Sequence, residues 1–166
     1  MYDLKAVINR CGVLTGPWQM GKVDQGIVTH WIAQHVLGGK LTYLGYGGTG
    51  KQVRDILHIE DLYRLLLIQM DQLKDHKISV YNVGGGHKIS LSLLELTRLC
   101  EQVTGKTLSI GSVLESRKGD IPLYLSDCSK VMEITGWEPI RLPETIVEEI
   151  AQWITNHRDL LQGILS

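Results

Sequence analysis

Short segments with the composition of β-strands alternate along the whole chain with longer segments of helical periodicity. The helical segments repeat apolar residues every three or four positions, and glycine or a capping residue stands at their ends. Such alternation favours an α/β fold. The predicted strands are residues 4–8, 41–44, 53–57, 78–83, 108–110 and 124–125. The predicted helices are residues 24–37, 60–73, 92–104, a short segment that ends at Gly136, and a last helix from Pro143 to about residue 159.

The chain has 166 residues and a net charge of −1, from 17 basic and 18 acidic side chains. This balance gives no electrostatic basis for binding nucleic acid or an anionic membrane. The longest aliphatic run covers residues 65–68, whereas a membrane-spanning helix needs about 20 apolar residues. The first residues lack the pattern of a signal peptide. Cys11, Cys100 and Cys128 are widely spaced and odd in number, which is typical of reduced thiols in the cytoplasm.

Residues 45–52 read Gly-Tyr-Gly-Gly-Thr-Gly-Lys-Gln and fit the pattern G-x-x-x-x-G-K of a phosphate-binding loop. A nucleoside triphosphatase needs Ser or Thr after the lysine as a Mg²⁺ ligand, and here that residue is Gln52. The loop should also open a helix whose N-terminus receives the phosphates, whereas residues 53–57 have an extended pattern. We therefore expect a glycine turn between two strands and no nucleoside triphosphatase.

Two basic segments are candidates for binding phosphate. Arg54 follows the glycine turn, and its planar guanidinium matches a phosphate bidentately. The alternative is an ion pair with Asp55 or Glu60. Residues 117–120, Arg-Lys-Gly-Asp, lie in a polar loop and could hold a phosphate and a sugar hydroxyl. The alternative for this loop is a solvated cluster of charges.

A third candidate is Asn82, in the segment Tyr81-Asn82-Val83-Gly84 that ends a predicted strand in a glycine turn. Ligands of α/β proteins bind outside the carboxyl ends of the strands, although such a turn also serves simply to connect two elements. The six histidines show no spacing typical of metal ligands, and no Ser-His-Asp or Cys-His arrangement is recognisable. We therefore expect no metal site.

Eight ordered segments together resemble the extended short-chain dehydrogenase/reductases, which are NAD-dependent epimerases and dehydratases of nucleotide sugars. Any one segment is weak, but their common order over the whole chain is specific. Residues 24–26 and 51–55 are most similar to the CDP-paratose and CDP-tyvelose 2-epimerases of this family. The segments are Arg10 with Gly16-Pro17, the helix that follows, the glycine loop, residues 53–61, Tyr81-Asn82-Val83-Gly84, the helix start Ser-Leu-Leu-Glu at 92–95, Arg117-x-Gly119-Asp120 with Asp127-x-Ser129-Lys130, and Gly136-Trp137-x-Pro139.

The resemblance implies roles for individual residues. Arg54 and Arg117 would clamp the diphosphate of a nucleotide sugar, with a CDP-sugar favoured, and Asp120 would hold a ribose hydroxyl. Residues 41–43 would line the base, and the loop of residues 16–26 would approach the sugar. Val13 stands where many relatives carry Asn or Ser, so the identity of the sugar stays open. The expected substrate-binding residues are Leu41, Tyr43, Arg54, Asn82, Arg117 and Asp120.

The family's catalytic Tyr-x-x-x-Lys pair and its glycine-rich NAD-binding turn do not occur in the 166 residues. The resemblance therefore implies that residues 1–166 correspond to the C-terminal, substrate-binding half, with the last strands of a Rossmann sheet and a small α/β domain. We expect this half to be catalytically incomplete and not to bind NAD tightly alone. We also expect it to form homo-oligomers or to pair with an N-terminal NAD-binding half, because strands 4–8 and 78–83 would otherwise have open edges. The alternative is a non-catalytic module, truncated or complementing another chain.

Overall fold

The computed structural model describes residues 5–22, 25–74 and 79–165. Its strands and helices alternate along the chain, which confirms the predicted α/β class. The strands are β1 (Val7–Cys11), β2 (Val13–Thr15), β3 (Leu41–Leu44), β4 (Val53–His58), β5 (Ser79–Val83), β6 (Ser90–Ser92), β7 (Ile110–Val113) and β8 (Leu123–Tyr124). The α-helices are α1 (Ile27–Leu37), α2 (Ile59–Asp71), α3 (Leu93–Thr104), α4 (Ser129–Thr135), α5 (Pro143–Asn156) and α6 (Arg158–Leu165).

The strands of the described part form three small sheets. Strands β1 and β5 pair in parallel, with Val7 opposite Ser79 and Cys11 opposite Val83. Strand β4 lies at the centre of the second sheet, where it pairs in parallel with β2 and β8 and antiparallel with β6. Strands β3 and β7 form a third, parallel pair. The central position of β4 matters for function because this strand carries Arg54.

Two apolar cores meet at β4. Ile56 belongs to the larger core, which helices α1, α3 and α5 form with strands β3 and β6. The next residue, Leu57, belongs to the smaller core around Trp137, α2 and β5. Successive side chains of a strand point to opposite faces, so one strand can serve both cores. Ile56 and Leu57 are both fully buried, so β4 is held between the two cores.

Local sequence signals explain where several helices begin and end. The Ser92 hydroxyl accepts a hydrogen bond from the Glu95 backbone N–H, and the Glu95 carboxylate accepts one from the Ser92 N–H at 2.7 Å. This reciprocal pair is the predicted capping box of α3. Gly105 closes the same helix with a left-handed backbone, and Pro143 stands in the first turn of α5 as predicted.

Several elements differ from the prediction. Strand β1 begins at Val7 instead of residue 4, β7 covers Ile110–Val113 instead of residues 108–110, and β2 and β6 occupy segments with no predicted strand. The last predicted helix ends at Asn156 instead of about residue 159, because His157 leaves the helical conformation and its ring nitrogen Nδ1 lies 2.9 Å from the Trp153 carbonyl oxygen. Helix α6 follows and was not predicted. The predicted starts at Asp24 and Ile78, and residues 1–4, lie outside the described residues.

Candidate functional site

A cavity of about 1190 Å³ opens beside β4, between β3, the start of α1 and the loop that connects β7 to β8. Four of the six residues predicted from the sequence line this cavity: Leu41, Arg54, Arg117 and Asp120. They come from β3, from β4 and from the connecting loop, so the fold assembles the site from three separate parts of the chain.

The guanidinium of Arg54 is held at the rim of the cavity. Its Nη2 donates to Asp120 Oδ1 at 2.8 Å and to the Ile121 carbonyl at 2.7 Å. Neither Asp55 nor Glu60, the two partners considered from the sequence, takes this role. Asp55 points to the opposite face of the strand, where its Oδ2 accepts from the Gly86 N–H, and Glu60 pairs with Arg141.

The side chains that line the cavity carry an excess of positive charge. Among the described residues, lysine and arginine contribute four lining side chains, and Asp120 contributes the one carboxylate. The basic residues are Lys40, Arg54, Arg117 and Lys118. The loop brings its charges together through a turn, in which the Asp120 N–H donates to the Arg117 carbonyl and Gly119 adopts a φ of 83°. Such an arrangement suits a ligand with two or more negative charges.

Aliphatic side chains also line the cavity. Leu41 is buried, and it is accompanied by Leu44 of the same strand and by Val113 of the paired strand β7, which is 42% exposed. A slot of aliphatic side chains next to a cationic rim has the chemistry of a nucleotide site, in which the base packs against apolar atoms while the phosphates meet the cations.

Two predicted residues do not lie at the cavity. The ring of Tyr43 stacks on Trp31 with a centroid distance of 5.5 Å, and its hydroxyl lies 2.7 Å from Thr97 Oγ1. Tyr43 therefore packs against α1 and α3, while its neighbours on β3 line the cavity. Asn82 is exposed on β5, opposite Arg10 in the separate β1–β5 pair.

Cys11, Gln19, Gln25 and His30 also line the cavity. Cys11 and His30 were not among the sequence candidates, whereas Gln19 and Gln25 belong to the loop of residues 16–26 that was expected to approach the sugar. Partial burial raises the pKa of the Cys11 thiol and lowers the pKa of the His30 imidazole. The position of Cys11 could have indicated its place at the cavity, because Cys11 ends strand β1 and ligands of α/β folds bind at the carboxyl ends of strands.

A second depression of about 950 Å³ lies where the ends of α1, α3 and α5 come together. Its charged lining consists of two acids, Glu148 and Glu149, and two bases, Lys106 and Arg158. These charges balance, and Lys106 is already engaged by the Val36 carbonyl. The depression therefore offers a phosphate no excess of positive charge.

The glycine clusters do not have the geometry of a dinucleotide-binding turn. Residues 45–50 form a tight turn into β4, and a Cβ added at Gly50 would lie 2.6 Å from the ring of Tyr43. Residues 84–86 lead into β6. Neither cluster opens an α-helix that could receive a pyrophosphate, so these turns do not have the geometry that binds NAD.

Residues 5–22, 25–74 and 79–165 contain neither a candidate metal site nor a membrane-spanning helix. No group of three or more His, Cys, Asp and Glu side chains in this part of the chain could hold a metal ion. No helix of the same part is both long enough and apolar enough to cross a bilayer.

Two known proteins similar to this chain are named for nucleotide sugars. CDP-paratose 2-epimerase of Salmonella typhi is 28% identical over 159 residues, which are 94% of this chain and 46% of that enzyme. The probable GDP-L-fucose synthase 1 of Oryza sativa subsp. japonica is 33% identical over 111 residues, which are 66% of this chain and 32% of that protein. The chain thus spans less than half the length of these two relatives.

Solved structures agree with this similarity. UDP-glucuronic acid 4-epimerase of Bacillus cereus, solved with UDP-glucuronic acid and NAD, has a TM-score of 0.79 and 25% identity over 92% of this chain and 46% of its own. UDP-glucose 4-epimerase of Stenotrophomonas maltophila has a TM-score of 0.81 over 96% of this chain and 50% of its own, and at 22% identity it shows the fold alone. The model of the NAD dependent epimerase/dehydratase family matches residues 1–84. The chain therefore belongs to the NAD dependent epimerase/dehydratase family.

Proposed function

We propose that the cavity binds the nucleoside diphosphate part of a nucleotide sugar, and that residues 1–166 act as the substrate-binding half of an epimerase or dehydratase. The observation that carries this proposal is the meeting of four cationic side chains with an apolar slot in one cavity of about 1190 Å³. The relatives named above act on nucleotide sugars by name, which supports the same ligand class for this chain.

In this proposal Arg54 and Arg117 hold the two phosphates. Arginine binds phosphate oxygens through parallel N–H groups, and a diphosphate offers more charge to the guanidinium than the single carboxylate of Asp120. When the diphosphate engages Arg54, the carboxylate of Asp120 is free to accept a hydrogen bond from a ribose hydroxyl. Leu41 packs against the base.

The favoured base is cytosine. The support for this choice is the similarity to CDP-paratose 2-epimerase over 94% of the chain. Solved relatives that bind UDP-sugars make uridine the competing choice, so CDP and UDP belong in the same experiment.

The proposed role is binding of the substrate without the hydride-transfer chemistry. The sequence contains no Tyr-x-x-x-Lys, and the glycine clusters do not fit NAD. We therefore propose that NAD and the catalytic pair belong to a part of the enzyme outside these 166 residues, or to a chain that this one complements. The free cysteines, Cys11, Cys100 and Cys128, suit a reducing compartment such as the cytoplasm.

A partner surface also belongs to the proposal. Parallel sheets are normally covered on both faces, yet Ile8 of β1 is 49% exposed. Helix α2 exposes an apolar stripe at helical spacing, with Met70 at 71%. The stripe consists of Ile59, Tyr63, Leu66, Leu67 and Met70. We propose that an NAD-binding half or a second copy of the chain covers these residues.

Analytical ultracentrifugation of the wild-type chain and of Leu67→Lys tests this surface. We expect the wild-type chain to self-associate at high micromolar concentration and the variant to stay monomeric, because a charge on the stripe opposes its burial. Gln162→Lys, at an exposed position of α6, serves as the control for the added charge. A wild-type chain that stays monomeric at every concentration would contradict self-association.

Isothermal titration calorimetry with CDP tests the binding proposal. We expect Arg54→Ala to weaken binding about 10- to 100-fold, because a hydrogen bond to a charged group contributes about 1.5–3 kcal/mol. Arg64→Ala is the matched control, since Arg64 pairs with Asp61 away from the cavity. Equal weakening by both variants would contradict the assignment. A folded wild-type chain that binds neither CDP nor UDP would show that this chain alone forms no nucleotide site.

A further inference from the structure

Trp18 combines two features that rarely occur in one residue. Its backbone has a φ of 69°, in the left-handed region that residues with a Cβ disfavour. Its side chain is 60% exposed, which is far more than a core tryptophan would be. A disfavoured backbone persists only where the surrounding contacts hold it in place.

The contacts that hold Trp18 come from the end of helix α5 and from His157, which follows it. Its ring centroid lies 5.6 Å from that of Trp153 and 5.1 Å from that of His157, in an edge-to-face arrangement with the latter. Trp153 is itself buried in the larger core. Aromatic pairs at such distances attract each other beyond their buried area, so Trp18 fastens its segment, residues 16–22, to the core.

The next residue, Gln19, faces the cavity. Its Nε2 donates to the Leu14 carbonyl at 2.9 Å, and its Oε1 accepts from the Thr29 hydroxyl at 2.8 Å. Gln19 also lines the cavity, whereas Trp18 does not. The segment of residues 16–22 is therefore attached to α5 through Trp18 and forms part of the cavity wall through Gln19.

The position of Gln19 suggests which part of a ligand it meets. With the base proposed at Leu41 and the diphosphate at Arg54, the cavity wall at Gln19 and His30 is a surface that the sugar can contact. This assignment rests on the proposed function.

We propose that Trp18 is a positioning residue: its ring, held against Trp153 and His157, places Gln19 in the cavity wall that contacts the sugar. Removal of the ring then weakens the contacts to the sugar and leaves the contacts to the nucleotide intact. A residue that only stabilises the fold would affect both in the same proportion.

The test compares CDP with CDP-glucose in calorimetric titrations of the full chain. We expect Trp18→Ala to weaken binding of CDP-glucose about tenfold, the equivalent of one lost hydrogen-bonded contact, and to leave binding of CDP unchanged. Trp18→Phe keeps an aromatic ring and is expected to retain most of the affinity. Trp18→Gly removes the ring while relieving the backbone strain, so it gives the same result as Trp18→Ala even if the alanine variant folds poorly.

Limited trypsin digestion supplies a readout that needs no ligand. We expect cleavage after Lys22 to be faster in Trp18→Ala and Trp18→Gly than in the wild type, because cleavage requires local opening of the segment. Unchanged cleavage together with unchanged binding of CDP-glucose would overturn the inference while leaving the nucleotide site intact. A wild-type chain that binds neither ligand would contradict the proposed function, and the cleavage rates would then decide the anchoring role by themselves.

Discussion

Arg54 and Asp120 lie 66 positions apart in the sequence, yet Arg54 Nη2 is 2.8 Å from Asp120 Oδ1 at the rim of the cavity. Their side chains are about a quarter and a third exposed, so the pair is partly screened by water. An ion pair of this kind contributes about 0–1 kcal/mol to stability. A diphosphate can therefore displace Asp120 from Arg54 at little cost, which leaves the pair poised for exchange.

Displacement of Asp120 from Arg54 by a diphosphate leads to a prediction for Asp120→Ala. We expect the free energy of unfolding to fall by less than about 1 kcal/mol, because the lost pair is solvent-screened. We expect the wild-type chain to bind CDP more tightly than 2′,3′-dideoxy-CDP, and the variant to bind both equally, since the acceptor for the ribose is gone. Urea unfolding and calorimetry measure the two effects. A variant that still prefers CDP would show that another group contacts the ribose.

Cys11 offers a chemical footprint of the cavity. It is the exposed cysteine, whereas Cys100 and Cys128 are buried. We expect a thiol reagent to label Cys11 first, at a rate that still rises with pH above neutrality, because burial raises the pKa of its thiol. Saturating CDP is expected to slow the labelling at least severalfold, since Cys11 lines the cavity.

Mass spectrometry of the labelled peptide gives the rate at Cys11 directly. Sodium chloride at the same ionic strength is the control for ionic effects. Equal labelling with and without CDP would place the nucleotide elsewhere.

His58 predicts how stability depends on pH. Its side chain is 1% exposed, and its Nδ1 accepts from the Glu60 N–H at the start of α2. Burial lowers the pKa of His58, although nearby Glu149, Glu60 and Asp61 act in the opposite direction. The folded state therefore resists protonation that the unfolded chain accepts below about pH 6.5.

The sign follows from this difference. The contribution of His58 to stability is fully present above the pKa of the unfolded chain and is lost as the pH falls toward the lower pKa of the folded state. His58→Asn keeps a capping side chain and cannot titrate, so we expect a smaller loss of stability between about pH 7 and pH 5. Thermal unfolding of both proteins at several pH values measures this loss of stability. An equal loss in both proteins would exclude His58 as the cause.

Local signals made part of this fold predictable. Ser92 and Glu95 stand three residues apart, so the capping box needs no information from the rest of the chain. Strand Leu41–Leu44 was predicted with its observed bounds because its β-type composition lies between a glycine pair and a glycine loop. The break at His157 was missed because the residues around it are all compatible with a continuous helix.

The orientation of individual side chains was less predictable from the sequence. Tyr43 turns away from the cavity because Trp31 and Thr97, on two distant helices, provide its partners. Arg54 lies beside Asp120 because β8 pairs with β4, and this pairing places the connecting loop at the rim of the cavity. Such choices depend on contacts between segments far apart in the sequence, which local patterns do not encode.

The affinities of cytidine, CMP and CDP for the wild-type chain and for Arg54→Ala test the central claim most directly. The account predicts that wild-type affinity rises with each phosphate, that Arg54→Ala loses about 10- to 100-fold for CDP, and that its affinity for cytidine is unchanged. A wild-type chain that binds the three ligands equally, or a variant that loses cytidine and CDP in equal proportion, would contradict a phosphate clamp at Arg54.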